Sequence, residues 1–188
     1  MNAEYVVEFA RNTVHYLNND KRSFESVLDN TDLTGKLGFA MIATAMAAFD
    51  LFAWILYQSF DLKKTNKALY NELINDARFF DKRKYGNEIV FYGIIRCGVM
   101  HQLYPKQASI SAQKSATILY NHGGILCINS YGLFCDVMEG CERIRDYLAS
   151  LSEAEKTDYS LKLLLRIKID EAEYIGARVN LSSLPELT

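Results

Sequence analysis

A chain of 188 residues that is 49% hydrophobic and 23% charged can bury a substantial core, and it has the composition of an ordered globule rather than a disordered segment. Its net charge of -2 excludes the overall basic footprint of a protein that grips long nucleic acids, so any such contact must be local. Cys97, Cys127, Cys135 and Cys141 form no C-x-x-C pair, and none stands at zinc-finger spacing from a histidine. This argues against a metal-ligand cluster and for reduced thiols in a cytoplasmic protein.

The opening Met-Asn-Ala-Glu-Tyr has neither the basic nor the apolar region of a secretory signal. Tyr5, Val6, Phe9, Ala10, Val14 and Leu17 recur at helical spacing, so residues 3–18 read as an amphipathic helix that Asn18, Asn19 and Asp20 end. Ser23 then caps a short second helix through Phe24, Val27 and Leu28, followed by a connection at 30–35. Residues 37–57 form the most apolar segment, interrupted by Thr44 and Asp50. Its length reaches that of a membrane span, but Asp50 would then lie near the bilayer midplane at a cost of about 3 kcal/mol. A central helix buried on all sides is the preferred reading, with no stable membrane association. A membrane-anchored protein is the alternative.

Asp61 opens another helix through Leu69, Leu73, Ile74 and Phe79, and residues 81–86 form a charged turn. Asn87 caps a helix that begins at Glu88, a residue suited to the positive end of the dipole. Pro105 cannot continue this helix, which places Arg96 mid-helix and His101 in the last turn. Residues 116–120 and 125–128 read as short strands around Asn121-His122-Gly123-Gly124. Helical spacing returns over 134–148, and a last helix runs from Glu153 to about Arg178, although 166–170 alternates like a strand. The fold class is therefore mainly α, a helical bundle with a small β-hairpin near 115–129. Residues 1–188 make a single domain in which 107–188 is a C-terminal elaboration.

Chemistry concentrates at Arg96-Cys-Gly-Val-Met-His101, followed by Gln-Leu-Tyr104-Pro-Lys106. Arginine offers planar, permanently charged donors to phosphate oxygens, and histidine moves a proton near neutral pH. With nine arginines and three histidines, chance alone supplies roughly 0.4 arginines followed five to seven positions later by histidine. Spacing by itself is weak, and position has to carry the weight. His15 reads as an exposed helix residue and His122 as a turn residue. The basic clusters Lys63, Lys64 and Lys67, and Lys82, Arg83 and Lys84, read as solvated helix ends or turns. Asp50 is either a core acid satisfied by a local donor or the partner that orients Arg96.

The Arg96-x4-His101 stretch, its Gln-Leu-Tyr-Pro-Lys continuation and the Ala-rich helix upstream resemble the HEPN superfamily (higher eukaryotes and prokaryotes nucleotide-binding), whose signature is arginine, four to six residues, then histidine. The resemblance covers residues 1–110 in architecture. It implies a helical bundle that dimerises with the two motifs facing a shared cleft. It also implies a metal-independent endoribonuclease without cofactor, acting on RNA as a toxin or defence effector, with an antitoxin or regulatory partner. Arg96 and His101 would be catalytic, with Asp50, Cys97, Tyr104 and Lys106 supporting them or contacting RNA. Cys97 departs from the polar residue that many catalytic members place after the arginine. That departure keeps open the alternative of a non-catalytic helical dimer that binds a nucleotide, a nucleic acid or a partner protein. Residues five apart on a regular helix diverge by about 140°. The two side chains share a face only if the helix distorts, near Gly98 or in the final turn, or if a second chain completes the site.

Overall fold

Val6, Val7, Ala10, Val14 and Leu17 turn one apolar stripe inward and carry the first helix, α1, through Tyr5–Leu28 without a break. The computed structural model describes residues 3–29, 34–60, 62–85, 89–98, 108–115 and 117–170. The polar residues expected to end α1 are satisfied inside it. Asn18 Nδ2 donates to the Val14 carbonyl at 3.0 Å, and Ser23 Oγ bonds back to the Asn19 carbonyl at 3.1 Å instead of capping a new helix. At the start of α1, the hydroxyl of Ser160 accepts from the Val6 amide at 3.1 Å and donates to the Ala3 carbonyl at 3.2 Å. A group from the far end of the chain thus meets backbone groups that the first turn leaves without helical partners.

The second helix, α2 (Thr34–Tyr57), is the hub of the core. Within it Leu37–Tyr57 is long and apolar enough to cross a membrane by length and composition, and 61% of its most apolar window is buried inside the protein. Met41, Ile42, Ala45, Met46, Phe49, Phe52 and Ile55 are buried on it, packed among α1, α3 and α6. Helix α3 (Asn66–Asn75) begins later than expected because Thr65, whose hydroxyl accepts from the Ala68 amide at 3.3 Å, is its cap. Residue 61, assigned as the start of that helix, lies outside the described residues. Phe79 falls in the following turn, and the charged stretch after it forms the short helix α4 (Lys82–Tyr85).

The next segment, α5 (Ile89–Arg96), is wound as a π-helix, and Cys97 and Gly98 return to α-helical winding. Among the described residues the distortion therefore ends at Arg96 and does not reach Gly98, and the final turn lies outside the described residues. Strands β1 (Ala108–Ser111), β2 (Leu119–His122) and β3 (Ile125–Asn129) form a sheet in the order β1-β3-β2. The hairpin lies where it was expected, but its first strand is shifted to 119–122, so that Asn121 and His122 belong to the strand and only the two glycines to the turn. Gly123 and Gly124 take φ of +60° and +83°, and Asn121 Oδ1 accepts from the Gly124 amide at 2.8 Å. Strand β1 was not expected, and it pairs parallel to β3 from Ala108 opposite Leu126 to Ser111 opposite Asn129.

Helix α6 (Ser130–Ser150) and helix α7 (Glu153–Asp170) complete the fold. Residues 166–170 are helical, not extended, and the expected continuation to 178 lies outside the described residues. Helix α6 packs on α1 and α2, joining the C-terminal half to the same hydrophobic cluster as the N-terminal half. Asn129 at its start is fully buried. Its amide donates to Ser115 O, Ser115 Oγ and Thr117 O at 2.9–3.1 Å and accepts from the Gln113 amide at 3.0 Å, clamping the stretch before β2. Gly132 must remain glycine, because a Cβ there would lie 2.8 Å from the Ser115 carbonyl and 2.9 Å from that of Thr117.

Candidate functional site

Asp50 is the only acidic residue of α2 and sits one position beyond the fully buried Phe49, on the flank of the core stripe. In α5, Phe91 and Ile95 are fully buried, which seats the helix on the core and brings the next residue, Arg96, to α2. The wider i→i+5 winding places residues four and five apart on nearly one side. Tyr92 accordingly lies under the guanidinium, with Cζ of Arg96 5.6 Å from its ring centroid.

The guanidinium meets Asp50 through two nitrogens. Nε donates to Oδ2 at 3.0 Å and Nη2 lies 2.9 Å from the same oxygen, so both contacts converge on one atom. The side chains of Arg96 and Asp50 are 12% and 26% exposed, which removes most of the water that would screen the pair. Burial opposes the guanidinium's charge, but the hydrogen bonds and charge of Asp50, with Tyr92 and Cys97, outweigh it and raise the pKa of Arg96. Arg96 is a fixed cation at every accessible pH.

Aromatic side chains form the wall behind the pair. Tyr70, fully buried on α3, meets Tyr92 edge-on at 5.5 Å and donates its hydroxyl to Sδ of Met46 at 3.5 Å. Burial, and then the negative charge of Asp50, push the Tyr70 phenol far above its usual range, so it stays a neutral donor. Tyr92 is shifted upward as well, first by burial. Neither tyrosine was singled out in the sequence. The available signal was the spacing of Tyr92, four residues before Arg96.

The structure thus brings Asp50 and Arg96 together and leaves Cys97 half-buried immediately after the arginine. His101, Tyr104 and Lys106 lie outside the described residues, as does the proline that follows Tyr104. His15 is exposed on α1, with Nε2 3.1 Å from Asn19 Nδ2, and His122 is exposed at the end of β2 beside the glycine turn. Among the described residues no three of His, Cys, Asp and Glu come together as a metal-binding group. No protein-family model, curated protein or solved structure matches this chain.

Proposed function

We propose that this chain is a HEPN-type, metal-independent endoribonuclease that works as a cytoplasmic homodimer, in the role of a toxin or defence effector restrained by a regulatory partner. The observation that supports the reading best is the anchoring of Arg96. A carboxylate from another helix fixes the guanidinium plane, five residues before a histidine in sequence. In this mechanism His101 takes the proton of an RNA 2′-hydroxyl, whose oxygen attacks the adjacent phosphorus while Arg96 meets the charge gathering on the phosphate oxygens; the bond to the 5′-oxygen then breaks, that oxygen leaves with a proton from water, and a 2′,3′-cyclic phosphate remains. Asp50 touches no substrate and serves as a positioning residue. The purified chain is expected to shorten RNA in EDTA, and His101→Ala is expected to abolish this. Wild type cutting no better than His101→Ala would overturn the proposal.

A second reading has its own support. Only 12% of the Arg96 side chain is exposed and Asp50 already meets its charge, as in a structural ion pair that shapes a non-catalytic helical dimer for binding a nucleotide, a nucleic acid or a partner protein. Under that reading Arg96→Ala changes assembly or binding, while no RNA is cut by any form of the chain.

A further inference from the structure

A concave cleft of about 480 Å³ opens between residues 77–84 and one face of α6, separate from Arg96 and Asp50. Its making is legible in Gly140. A Cβ there would lie 2.2 Å from the Phe80 ring, so only glycine lets the turn after α3 seat so closely on α6. Around that contact Asp136, Glu139 and Arg143, spaced three and four residues apart, line one wall, and Arg78, Lys82 and Lys84 line the other.

Most of these charges are matched. Arg78 grips Asp76 at 2.6 Å and lies over the Phe79 and Tyr147 rings, Asp81 is held by Arg83 at 2.8 Å, and the buried Asp136 takes Lys84 and the Tyr85 hydroxyl. Two cations are left with weaker compensation. Arg143 spends Nε on the neutral carbonyl of Phe79 at 2.9 Å, and its Nη1 stands 3.9 Å from the largely exposed Glu139, beyond hydrogen-bond reach. Lys82, exposed at the rim, makes no ion pair among the described residues. The Phe79 carbonyl fixes the guanidinium of Arg143 without neutralising it, which is the arrangement that receives an oxyanion. The volume exceeds that of a bare phosphate and falls within the range of small-molecule pockets.

We propose that this cleft binds a small phosphate-bearing molecule, with Arg143 and Lys82 as the contacts to its phosphate. The site stands independently of the nuclease reading. The test titrates the full chain, at constant ionic strength, with inorganic phosphate and with phenyl phosphate as a simple phosphomonoester, following backbone amide shifts. Both probes are expected to move amides of residues 77–84 and 136–143. Lys82→Gln, which breaks no ion pair among the described residues, weakens binding about two- to fivefold, and Arg143→Gln about tenfold, while Lys168→Gln on α7 leaves it unchanged. Thermal melts establish that each variant is folded. Shifts absent from these segments, or equal affinity in wild type and both cleft variants, would overturn the site. Phosphate binding with the ester excluded would overturn its assignment to a phosphorylated molecule.

Discussion

Removing the Asp50 carboxylate leaves the Arg96 guanidinium, 12% exposed, without the counter-charge that fixes its plane. Asp50→Ala is expected to lower unfolding free energy by about 2 kcal/mol in urea titration. If the proposed function holds, it also lowers kcat more than KM, because a positioning residue acts on the transition state through the arginine it holds. Asn129 makes a second test at this scale, since its buried amide is bonded at both ends. Asn129→Ala orphans an amide and three acceptors and is expected to cost about 2–4 kcal/mol by the same measurement. How much of the site was legible differs residue by residue. Asp50 stood out because it is the one acid in an apolar helix, and Arg96 because of its histidine, but which acid holds which base depends on packing between helices 46 residues apart. Tyr70 was illegible, because one tyrosine among twelve carries no mark of proximity, and Tyr92 offered only its spacing four residues before Arg96.

At the scale of elements, the turn between α3 and α4 is pinned from both sides. Gly140→Ala would drive a methyl group into Phe80 and is expected to destabilise the protein by about 1–3 kcal/mol in chemical denaturation, although alanine is otherwise the better helix former. Asp76 ties the same turn to α2 by accepting from the Tyr57 hydroxyl at 2.6 Å while Arg78 binds it, and that hydrogen bond to Arg78, ahead of all else, lowers its pKa to about 2. A depressed carboxylate stabilises the folded state fully above its unfolded pKa and ceases to do so as pH falls through the folded value. Stability should therefore decline between about pH 4 and pH 2, and Asp76→Asn should flatten that part of a melting-temperature profile. The helices with strong periodicity were legible, as was the hairpin with its paired glycines. The length of α1 was not, because Asn18 and Ser23 bond backward to carbonyls that the sequence also allowed them to leave. Strand β1 was not either, because Ala-Ser-Ile-Ser lacks a strand's apolar alternation and gains its place from a parallel partner some eighteen residues onward.

For the whole molecule, the apolar helix α2 serves as the centre of a core that draws on both halves of the chain. Extraction without detergent is the expected behaviour, and a requirement for detergent would favour the membrane-anchored alternative. Because about 140° separates residues five apart on a regular helix, the proposed dimer would complete each site with the histidine of a second copy. Equal mixing of Arg96→Ala and His101→Ala chains under dimer exchange should then restore part of the activity lost in each. The most direct measurement compares one labelled oligoribonucleotide with its all-deoxy counterpart, incubated with the chain in EDTA. Cleavage of the RNA alone, leaving 2′,3′-cyclic phosphate ends and slowed at least about a hundredfold by Arg96→Ala, is the predicted result. Intact RNA, or DNA cut as readily as RNA, would contradict the account.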